Sequence, residues 1–518
     1  MRSIVWVLTQ CICSVILFFS STLCAQEDAP LRIELDVMEN DMPFTVLTLG
    51  ERGIAVVMDQ NDLSKRNASR SIIFYDKYLI KRFATDVVID NAYSYVGYKY
   101  EKDTLYFILS SLPNAYKVDQ LAILKLSLLS GKYHLSKYTV KIENKTQILY
   151  SQLYQNTLLF LAKIKNDYLL YTYNFDNAKL ESSLLPESAK LEWCSGQIDT
   201  LSRRIYLVFR DAKLQDRDLT FMSFDFLLQK KFVEKVIVSD ENIRLTDALV
   251  VLSDSNKVML LGSFHYAKDK QLTSSYDRGT QSSGLFSVCW KNGSFGTIHC
   301  KRYTEFNKLD TLLSPQAHKE LQDVQKKAKG KTVIIPYLSL LHLRQYLGLT
   351  YLVAEVYRRE ETTTTDSYYD YYGRMVPYTR TIFDGFSFQD AFVLAFDSNG
   401  NEVNNWIYDA SQSSKKNTLS AFVDFIPDDM GNICFAHNDL GQLMYRSFSA
   451  EHQVSPFQSM YLETGSPFDK TRKTWGGHFV HWYDKYAIAY GYEQILNNQK
   501  RGKERRNIFY LTRLVVND

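Results

Sequence analysis

The residues of this chain that could do chemistry fall into short patterns, and each has a simpler structural interpretation. Residues 397–401 read DSNGN and offer oxygen ligands at the spacing of a calcium loop. They lie between two strand-like runs and lack the distal bidentate glutamate, which favours a turn. His478 and His481 lie three positions apart on a predicted strand, so their side chains should point to opposite faces and not share a metal.

The catalytic signatures are also missing from the sequence. It contains no G-x-S-x-G, no H-E-x-x-H, no pair of C-x-x-C motifs and no glycine-rich dinucleotide signature. A carboxylate pair for glycoside hydrolysis cannot be chosen among 58 acidic residues without geometry. The sequence therefore predicts no catalytic residue, no metal ligand and no cofactor, and it favours a protein that is not an enzyme.

A tyrosine-rich segment over residues 358–384 is the most distinctive candidate surface. Four consecutive threonines occupy 362–365, and aromatic and charged side chains follow. The segment is too polar for a core of its own and long for a connection, so we predict a mobile loop. Tyrosine offers a large contact area with few rotatable bonds, which suits binding to protein or to sugar faces. A spacer without a partner is the alternative. The predicted partner-binding residues are Tyr368, Tyr369, Tyr371, Tyr372, Arg374 and Tyr378.

The elements that position these residues are strands. From residue 43 onward, apolar and aromatic runs arrive in groups of four, and most groups span roughly 45 to 60 residues. The first group occupies 43–50, 53–60, 70–79 and 81–90. Tyr and Phe, which suit half-buried pleated surfaces, number 36 and 30. Repeated four-strand groups predict an all-β fold, an eight-bladed β-propeller.

The eighth group has only three runs, ending with 506–516, and the orphan run 31–38 can supply the fourth. This pairing would join both ends of the chain in one blade and remove an open sheet edge. Two alternatives remain: seven blades, or an unattached N-terminal arm. The predicted propeller domain covers residues 26–518.

One inserted helix is predicted over residues 314–330. Ser314 suits the N-cap and Pro315 the first helical position, while Gly330 follows a lysine-rich last turn. We expect this helix to lie against the rim of the propeller.

The N-terminus predicts a signal peptide over residues 1–25, with Arg2 before an apolar stretch and small or neutral residues leading to Ala25. A membrane anchor is disfavoured because Thr9, Gln10 and Ser14 interrupt the apolar stretch. No later segment is long and apolar enough to span a bilayer, so we expect an exported protein without a transmembrane segment in the mature chain. The net charge of +3 gives no reason to expect nucleic acid.

Four cysteines follow the signal peptide: Cys194, Cys289, Cys300 and Cys434. An even number in an exported chain suggests disulfides. A two-residue turn at 292–293 would place Cys289 opposite Gly296, leaving Cys300 about 13 Å along the strand. The spacing favours separate buried thiols, with disulfides as the alternative.

Three stretches carry a family resemblance: GLFSVCWKNGSFGTIHCKRYTEFNKL, YLVAEVYRRE and FDGFSFQDAFVLAFDSNGNEV. Together with the lysine-rich helix and the tyrosine-rich segment, their order resembles exported propeller-like proteins of Bacteroidota over roughly residues 280–410. The chain also looks like the periplasmic subunit that closes the outer-membrane pore of the type IX secretion translocon. The resemblance implies a periplasmic scaffold that binds an outer-membrane protein complex. An exported glycan-binding or glycan-cleaving propeller is the alternative.

Overall fold

The protein is all-β in the residues that the computed structural model describes. These are residues 32–37, 44–60, 67–90, 93–111, 121–138, 146–185, 190–211, 218–254, 257–266, 281–291, 293–306, 337–410, 415–416, 419–428, 430, 432–449, 454–497 and 505–515. Apart from strands, they contain two single turns of 3₁₀ helix, Gly50–Arg52 and Tyr303–Glu305. No helix among them is long and apolar enough to span a membrane. The predicted signal peptide (1–25) and the predicted helix (314–330) lie outside the described residues.

The strands form successive antiparallel sheets, numbered here in chain order. Sheet 1 contains β2 (Thr45–Thr48), β3 (Ile54–Gln60), β4 (Asn67–Tyr75) and β5 (Lys81–Asp90). Sheet 2 contains β6 (Tyr93–Glu101), β7 (Thr104–Ser111), β8 (Leu121–Ser127) and β9 (Tyr133–Tyr138). Sheet 3 contains β10 (Gln147–Tyr154), β11 (Thr157–Ile164), β12 (Asp167–Asn174) and β13 (Lys179–Leu184). Sheet 4 contains β14 (Leu191–Asp199), β15 (Arg204–Asp211), β16 (Leu219–Asp225) and β17 (Lys230–Val236).

The second half of the chain repeats this order with additions. Sheet 5 contains β18 (Ile243–Asp254), β19 (Lys257–Tyr266), β21 (Gly284–Lys291), β22 (Ser294–Phe295) and β23 (His299–Arg302). Sheet 6 contains β20 (Gln281–Ser282), β24 (Tyr337–Tyr346), β25 (Leu349–Tyr369), β26 (Met375–Phe396) and β27 (Glu402–Asp409). Sheet 7 contains β28 (Asp424–Pro427), β29 (Ile433–Asp439), β30 (Gln442–Phe448) and β31 (Gln458–Tyr461). Sheet 8 contains β32 (Asp469–Tyr483), β33 (Tyr486–Asn497), β34 (Arg505–Val515) and β1 (Arg32–Asp36).

The core is divided into layers between neighbouring sheets. One hydrophobic cluster joins sheets 1 and 2, and others join each following pair as far as sheets 7 and 8. A further cluster packs Phe44 and Ile54 of the sheet 1 region against Trp482 and Phe509 of sheet 8. Each sheet therefore buries side chains on both faces, which explains strands that are apolar at nearly every position. Successive four-stranded sheets packed in this way are the arrangement of a β-propeller.

A recurrent aspartate turn joins several strands. In each case the first carboxylate oxygen accepts the backbone N–H groups two and four residues later, as an Asx turn does. The aspartates are Asp76, Asp225, Asp370, Asp397 and Asp428. The turn predicted at 397–401 is confirmed.

The first strand of the described chain completes the last sheet. β1 pairs antiparallel with β34, with Arg32 opposite Thr512 and Asp36 opposite Ile508. Arg32 Nη2 lies 2.7 Å from Glu493 Oε2, and both side chains are almost fully buried. The Arg32 guanidinium also lies 4.5 Å from the centre of the Tyr510 ring. These contacts fix the register of β1, because a shift by one residue would direct Arg32 to the other face.

The prediction of a loop over residues 358–384 is wrong. β25 and β26 continue through this segment as a hairpin, and only residues 370–374 form its turn. Thr and Tyr have high strand propensity, and two long strands satisfy each other's backbone groups without a hydrophobic core.

The cysteines follow the predicted strand register in sheet 5. Gly296 N donates to Cys289 O, and Cys300 lies opposite Phe286 rather than near Cys289. All four cysteines of the described chain are free thiols. Burial raises the pKa of Cys300 to about 11 and that of Cys434 to about 12, so both thiols stay protonated near neutral pH.

Replacing Arg32 should destabilise the protein strongly. Arg32→Ala leaves the buried Glu493 carboxylate without its partner, which typically costs about 3 kcal/mol or more. Arg52→Ala is the control, because Arg52 and Asp103 form an exposed pair worth less than about 1 kcal/mol. Thermal unfolding of both variants at neutral pH measures the difference. Equal midpoints for the two variants would contradict the prediction.

Candidate functional site

The tyrosine ribbon, defined as residues 358–384, projects from sheet 6. β24 pairs with β25 from Leu349 to Tyr357, and β27 pairs with β26 from Asp390 onward. Beyond these points β25 and β26 pair with each other over twelve positions, from Arg358 opposite Ser387 to Tyr369 opposite Met375. At about 3.3 Å per residue, the ribbon extends about 40 Å.

Asp370 shapes the end of the ribbon. Its Oδ1 accepts the N–H groups of Tyr372 and Arg374, each at 2.9 Å, and its Oδ2 lies 3.0 Å from Arg374 Nε. Gly373 takes the left-handed conformation, with φ of 71°. The turn therefore holds Tyr371 and Tyr372 at the tip, where they are 97% and 77% exposed.

The structure brings the six predicted partner-binding residues to the outer end of the ribbon. Tyr368 and Tyr378 share one face, and their ring centres lie 5.8 Å apart. Tyr369 points to the other face, beside Met375 on the opposite strand. The Arg374 guanidinium lies 5.3 Å from the centre of the Tyr372 ring. These side chains contact each other while most of their surface stays open to solvent.

The charges of the ribbon are largely paired within it. Arg359 pairs with Glu361, and Arg380 with Asp366. At the base, a hydrogen bond from Thr362 and the nearby Lys415 lower the pKa of Asp384. The remaining contact groups are tyrosine rings, hydroxyls and backbone, which can stack and form hydrogen bonds.

A second polar site, which the sequence interpretation missed, lies between sheets 6, 7 and 8. This inner polar cluster comprises His342, Arg344, Glu355, Asp424 and His481. Glu355 is buried and accepts the backbone N–H groups of Phe422 and Val423. His342 Nε2 lies 2.7 Å from Glu355 Oε1.

Arg344, on β24 of sheet 6, contacts β28 of sheet 7 and β32 of sheet 8. Its Nη1 lies 2.7 Å from His481 Nδ1, and its Nη2 donates to Asp424 Oδ2. The same carboxylate oxygen accepts the backbone N–H of His481 at 2.7 Å. Because arginine only donates, His481 Nδ1 must accept, and its Nε2–H donates to Asp484 O. Burial lowers the pKa of His481, in agreement with this neutral form. Both ring nitrogens are engaged, so His481 cannot serve as a base.

Further buried polar residues link the same sheets. Lys416 Nζ donates to Gly477 O at 2.7 Å and lies 4.3 Å from the centre of the Phe422 ring. Burial lowers the pKa of Lys416 to about 8. Tyr408 Oη donates to Met444 O, so it accepts from His437 Nδ1 at 2.8 Å. His437 is fully buried, and burial followed by the nearby Lys416 lowers its pKa to about 3.

The polar interior positions the strands of these sheets relative to one another. The described residues contain no group of three His, Cys, Asp or Glu side chains suited to a metal. His478 stacks on Tyr490 with ring centres 5.0 Å apart, whereas His481 contacts Arg344, so the two histidines have different surroundings. The contacts of the cluster that cross between sheets join residues 57 to 137 positions apart in sequence, such as Arg344 and His481, and no local motif signals them.

A cleft between sheets 5 and 6 has a volume of about 500 Å³. Its lining combines apolar side chains with hydroxyl, amide and charged groups. The lining includes Phe286, Phe396, His299, Glu305, Asn401 and Glu402. Glu402 forms an ion pair with Lys301, which also lines the cleft.

Comparison with protein-family models and with curated protein sequences gave no match. Among solved structures, the chain is similar to the polysaccharide lyase Uly1, with 9% identity, a TM-score of 0.38 and coverage of 81% of this chain and 89% of that one. It is similar to the β-propeller domain of the Trilobed protease from Pyrococcus furiosus, with 8% identity, a TM-score of 0.32 and coverage of 83% and 96%. The Dos1 propeller gives 7% identity, a TM-score of 0.38 and coverage of 79% and 88%. These low scores carry no conclusion about function.

The buried histidines should make the protein less stable as the pH falls below about 6.5. His437 and His478 have folded-state pKa values of about 3, against about 6.5 in an unfolded chain. Below about pH 6.5 these histidines bind protons in the unfolded state but not in the folded state. The free energy of unfolding therefore decreases as the pH falls toward 3. His437→Gln should therefore reduce the loss of unfolding free energy between pH 6 and pH 4 by about 2 kcal/mol.

Chemical denaturation at both pH values tests this. His134→Gln is the matched control, because His134 is an exposed strand residue. The same pH dependence in wild type and His437→Gln would show that His437 is not the group that titrates.

Proposed function

We propose that the protein is a non-catalytic, exported β-propeller scaffold whose tyrosine ribbon binds a protein partner of the outer membrane. The supporting observation is the ribbon itself: a two-stranded extension of about 40 Å that ends in exposed tyrosines. Because these exposed side chains contribute little to folding, they are available for contact with a partner. Tyrosine is enriched at the interfaces where proteins bind each other.

We infer that the eight sheets are the eight blades of a ring that β1 closes. Pairing of β1 with β34 and packing of sheet 1 against sheet 8 support this closure over the seven-bladed alternative. A ring closed in this way is a rigid body, so the position of the ribbon base on sheet 6 is well defined.

The proposed location is the periplasm, reached through the N-terminal signal peptide. The resemblance to exported proteins of Bacteroidota supports this location, and the likeness to the subunit that closes the type IX translocon pore suggests the partner complex. Because the ribbon pairs most of its charges internally, aromatic and hydrogen-bond contacts should dominate binding.

Removing the tip tyrosines should abolish partner binding without unfolding the propeller. Tyr371→Ser combined with Tyr372→Ser should reduce capture of an outer-membrane protein from detergent-solubilised envelopes at least about tenfold. Tyr78→Ser combined with Tyr461→Ser is the control, since these tyrosines are also exposed, at 54% and 76%, but lie elsewhere. Quantitative mass spectrometry of the captured proteins measures the effect. Undiminished capture by the tip variant would refute the ribbon as the binding surface.

The cleft between sheets 5 and 6 favours a second candidate function, glycan binding or cleavage. The carboxylates and the amide in its lining suit sugar hydroxyls, and about 500 Å³ accommodates a small ligand. Glu305→Gln and Glu402→Gln should then each weaken binding to a responsive glycan at least about tenfold, by loss of hydrogen bonds to a charged group. Glu241→Gln, an exposed turn residue outside the cleft, is the control. A glycan array with no wild-type signal would eliminate this candidate.

A further inference from the structure

Four turns of sheets 1 and 2 form one continuous surface. Arg52 Nη2 lies 3.3 Å from Asp103 Oδ1, which joins the turn after β2 to the turn after β6. Leu128 N donates to Asp103 O at 2.8 Å, and Thr85 Oγ1 on β5 donates to Gly131 O at 2.7 Å. We call this surface the turn patch. It comprises residues 50–53, 76–82, 102–103 and 128–132.

The turn patch consists entirely of described residues. Its turns join the first strand of each sheet to the second strand, and the third strand to the fourth. The connections that lie outside the described residues join the opposite ends of the same strands; they are 61–66, 91–92, 112–120 and 139–145. None of these connections therefore begins or ends at the turn patch.

The turns hold apolar side chains of the patch toward solvent. Asp76 Oδ1 accepts the N–H groups of Tyr78 at 2.9 Å and Ile80 at 3.0 Å. Leu79 between them takes the left-handed conformation, with φ of 58°, and its side chain is buried. Tyr78 and Ile80 are consequently 54% and 53% exposed, and Leu129 in the neighbouring sheet is 77% exposed. Two adjacent turns thus each present an exposed aliphatic side chain.

The charge of the turn patch is positive. Its six basic residues against three acidic residues give a net charge of +3. The basic residues are Arg52, Lys77, Lys81, Arg82, Lys102 and Lys132, and the acidic residues are Glu51, Asp76 and Asp103. Two of the three carboxylates pair with the two arginines. The four lysines are exposed, and they form no ion pair with any other residue that the structure describes.

We propose that the turn patch binds the surface of a lipid bilayer that contains anionic phospholipid. Ile80 and Leu129 would enter the boundary between headgroups and acyl chains, and the amphipathic ring of Tyr78 would lie among the headgroups. The unpaired lysines would attract the anionic phosphates. A protein partner fits this surface less well, because lysine is depleted at protein interfaces. Charge complementarity and exposed aliphatic side chains therefore favour a membrane.

The tyrosine ribbon leaves the protein at the other end of the strands. A turn at 347–348 joins β24 to β25 in sheet 6, and the ribbon extends from the far end of β25. In the ring that we infer, the equivalent turns of all sheets lie on one face, so the turn patch and the ribbon lie on opposite faces. A bilayer at the turn patch would leave the ribbon free, and this inference does not rest on the ribbon's partner.

Flotation of the purified mature chain with lipid vesicles tests the charge contribution. Wild type should bind phosphatidylcholine vesicles that contain about one third phosphatidylglycerol at least about tenfold more tightly than pure phosphatidylcholine vesicles. Lys77→Gln combined with Lys132→Gln should weaken binding to the anionic vesicles at least about tenfold, since each lysine near the surface contributes about fivefold. Lys165→Gln combined with Lys470→Gln is the control, because these lysines are also exposed but lie outside the turn patch.

A second pair of variants tests the apolar contribution. Ile80→Ser combined with Leu129→Ser should weaken binding to the same anionic vesicles at least about tenfold, because both side chains lose their burial among the lipids. Leu184→Ser combined with Ile237→Ser is the matched control. These residues are 62% and 64% exposed and lie at the opposite ends of the outer strands of sheets 3 and 4. A wild-type chain that does not float with anionic vesicles, or undiminished binding by the Ile80→Ser and Leu129→Ser variant, would overturn the proposal.

Discussion

Every sheet in this protein has two faces to bury, and the rest of the structure depends on that constraint. A sheet inside the series can cover both faces with its neighbours, as the nearly continuous burial of β19 shows. The sheets at the two ends of the chain can do so only if they meet. Sheet 1 and sheet 8 pack on each other through Phe44, Ile54, Trp482 and Phe509. The N-terminal strand then covers the outer edge of β34, which would otherwise expose unpaired backbone groups.

Polar groups inside this layered core are held by specific hydrogen bonds and ion pairs. Arg32 and Glu493 are buried together, and the carboxylate of Glu355 receives backbone N–H groups from the start of sheet 7. His481 uses both ring nitrogens between Arg344 and Asp484. The contacts of Glu355 and His481 fix the position of one sheet relative to the next.

The tyrosine ribbon differs from this layered core. It has only two strands, buries little apolar surface and relies on its own backbone ladder, its Asp370 turn and a few ring contacts. Its tip tyrosines are consequently exposed to solvent, whereas the cleft between sheets 5 and 6 lies in the body of the propeller. The contacts that stabilise the fold and the surface proposed for binding therefore lie in separate parts of the chain.

The sequence by itself determined the all-β class, the four-strand periodicity, the DSNGN turn and the strand that pairs near the C-terminus. These features follow from local alternation, turn chemistry and the need to cover sheet edges. It also singled out the six ribbon residues as candidates for partner binding. Their polarity suggested a loop, and the prediction failed because strand formation there depends on a partner strand that composition does not reveal. Only the tertiary structure decided that Arg344, Asp424 and His481 meet, since their contacts cross three sheets. The cleft between sheets 5 and 6 likewise depends on how distant strands stack.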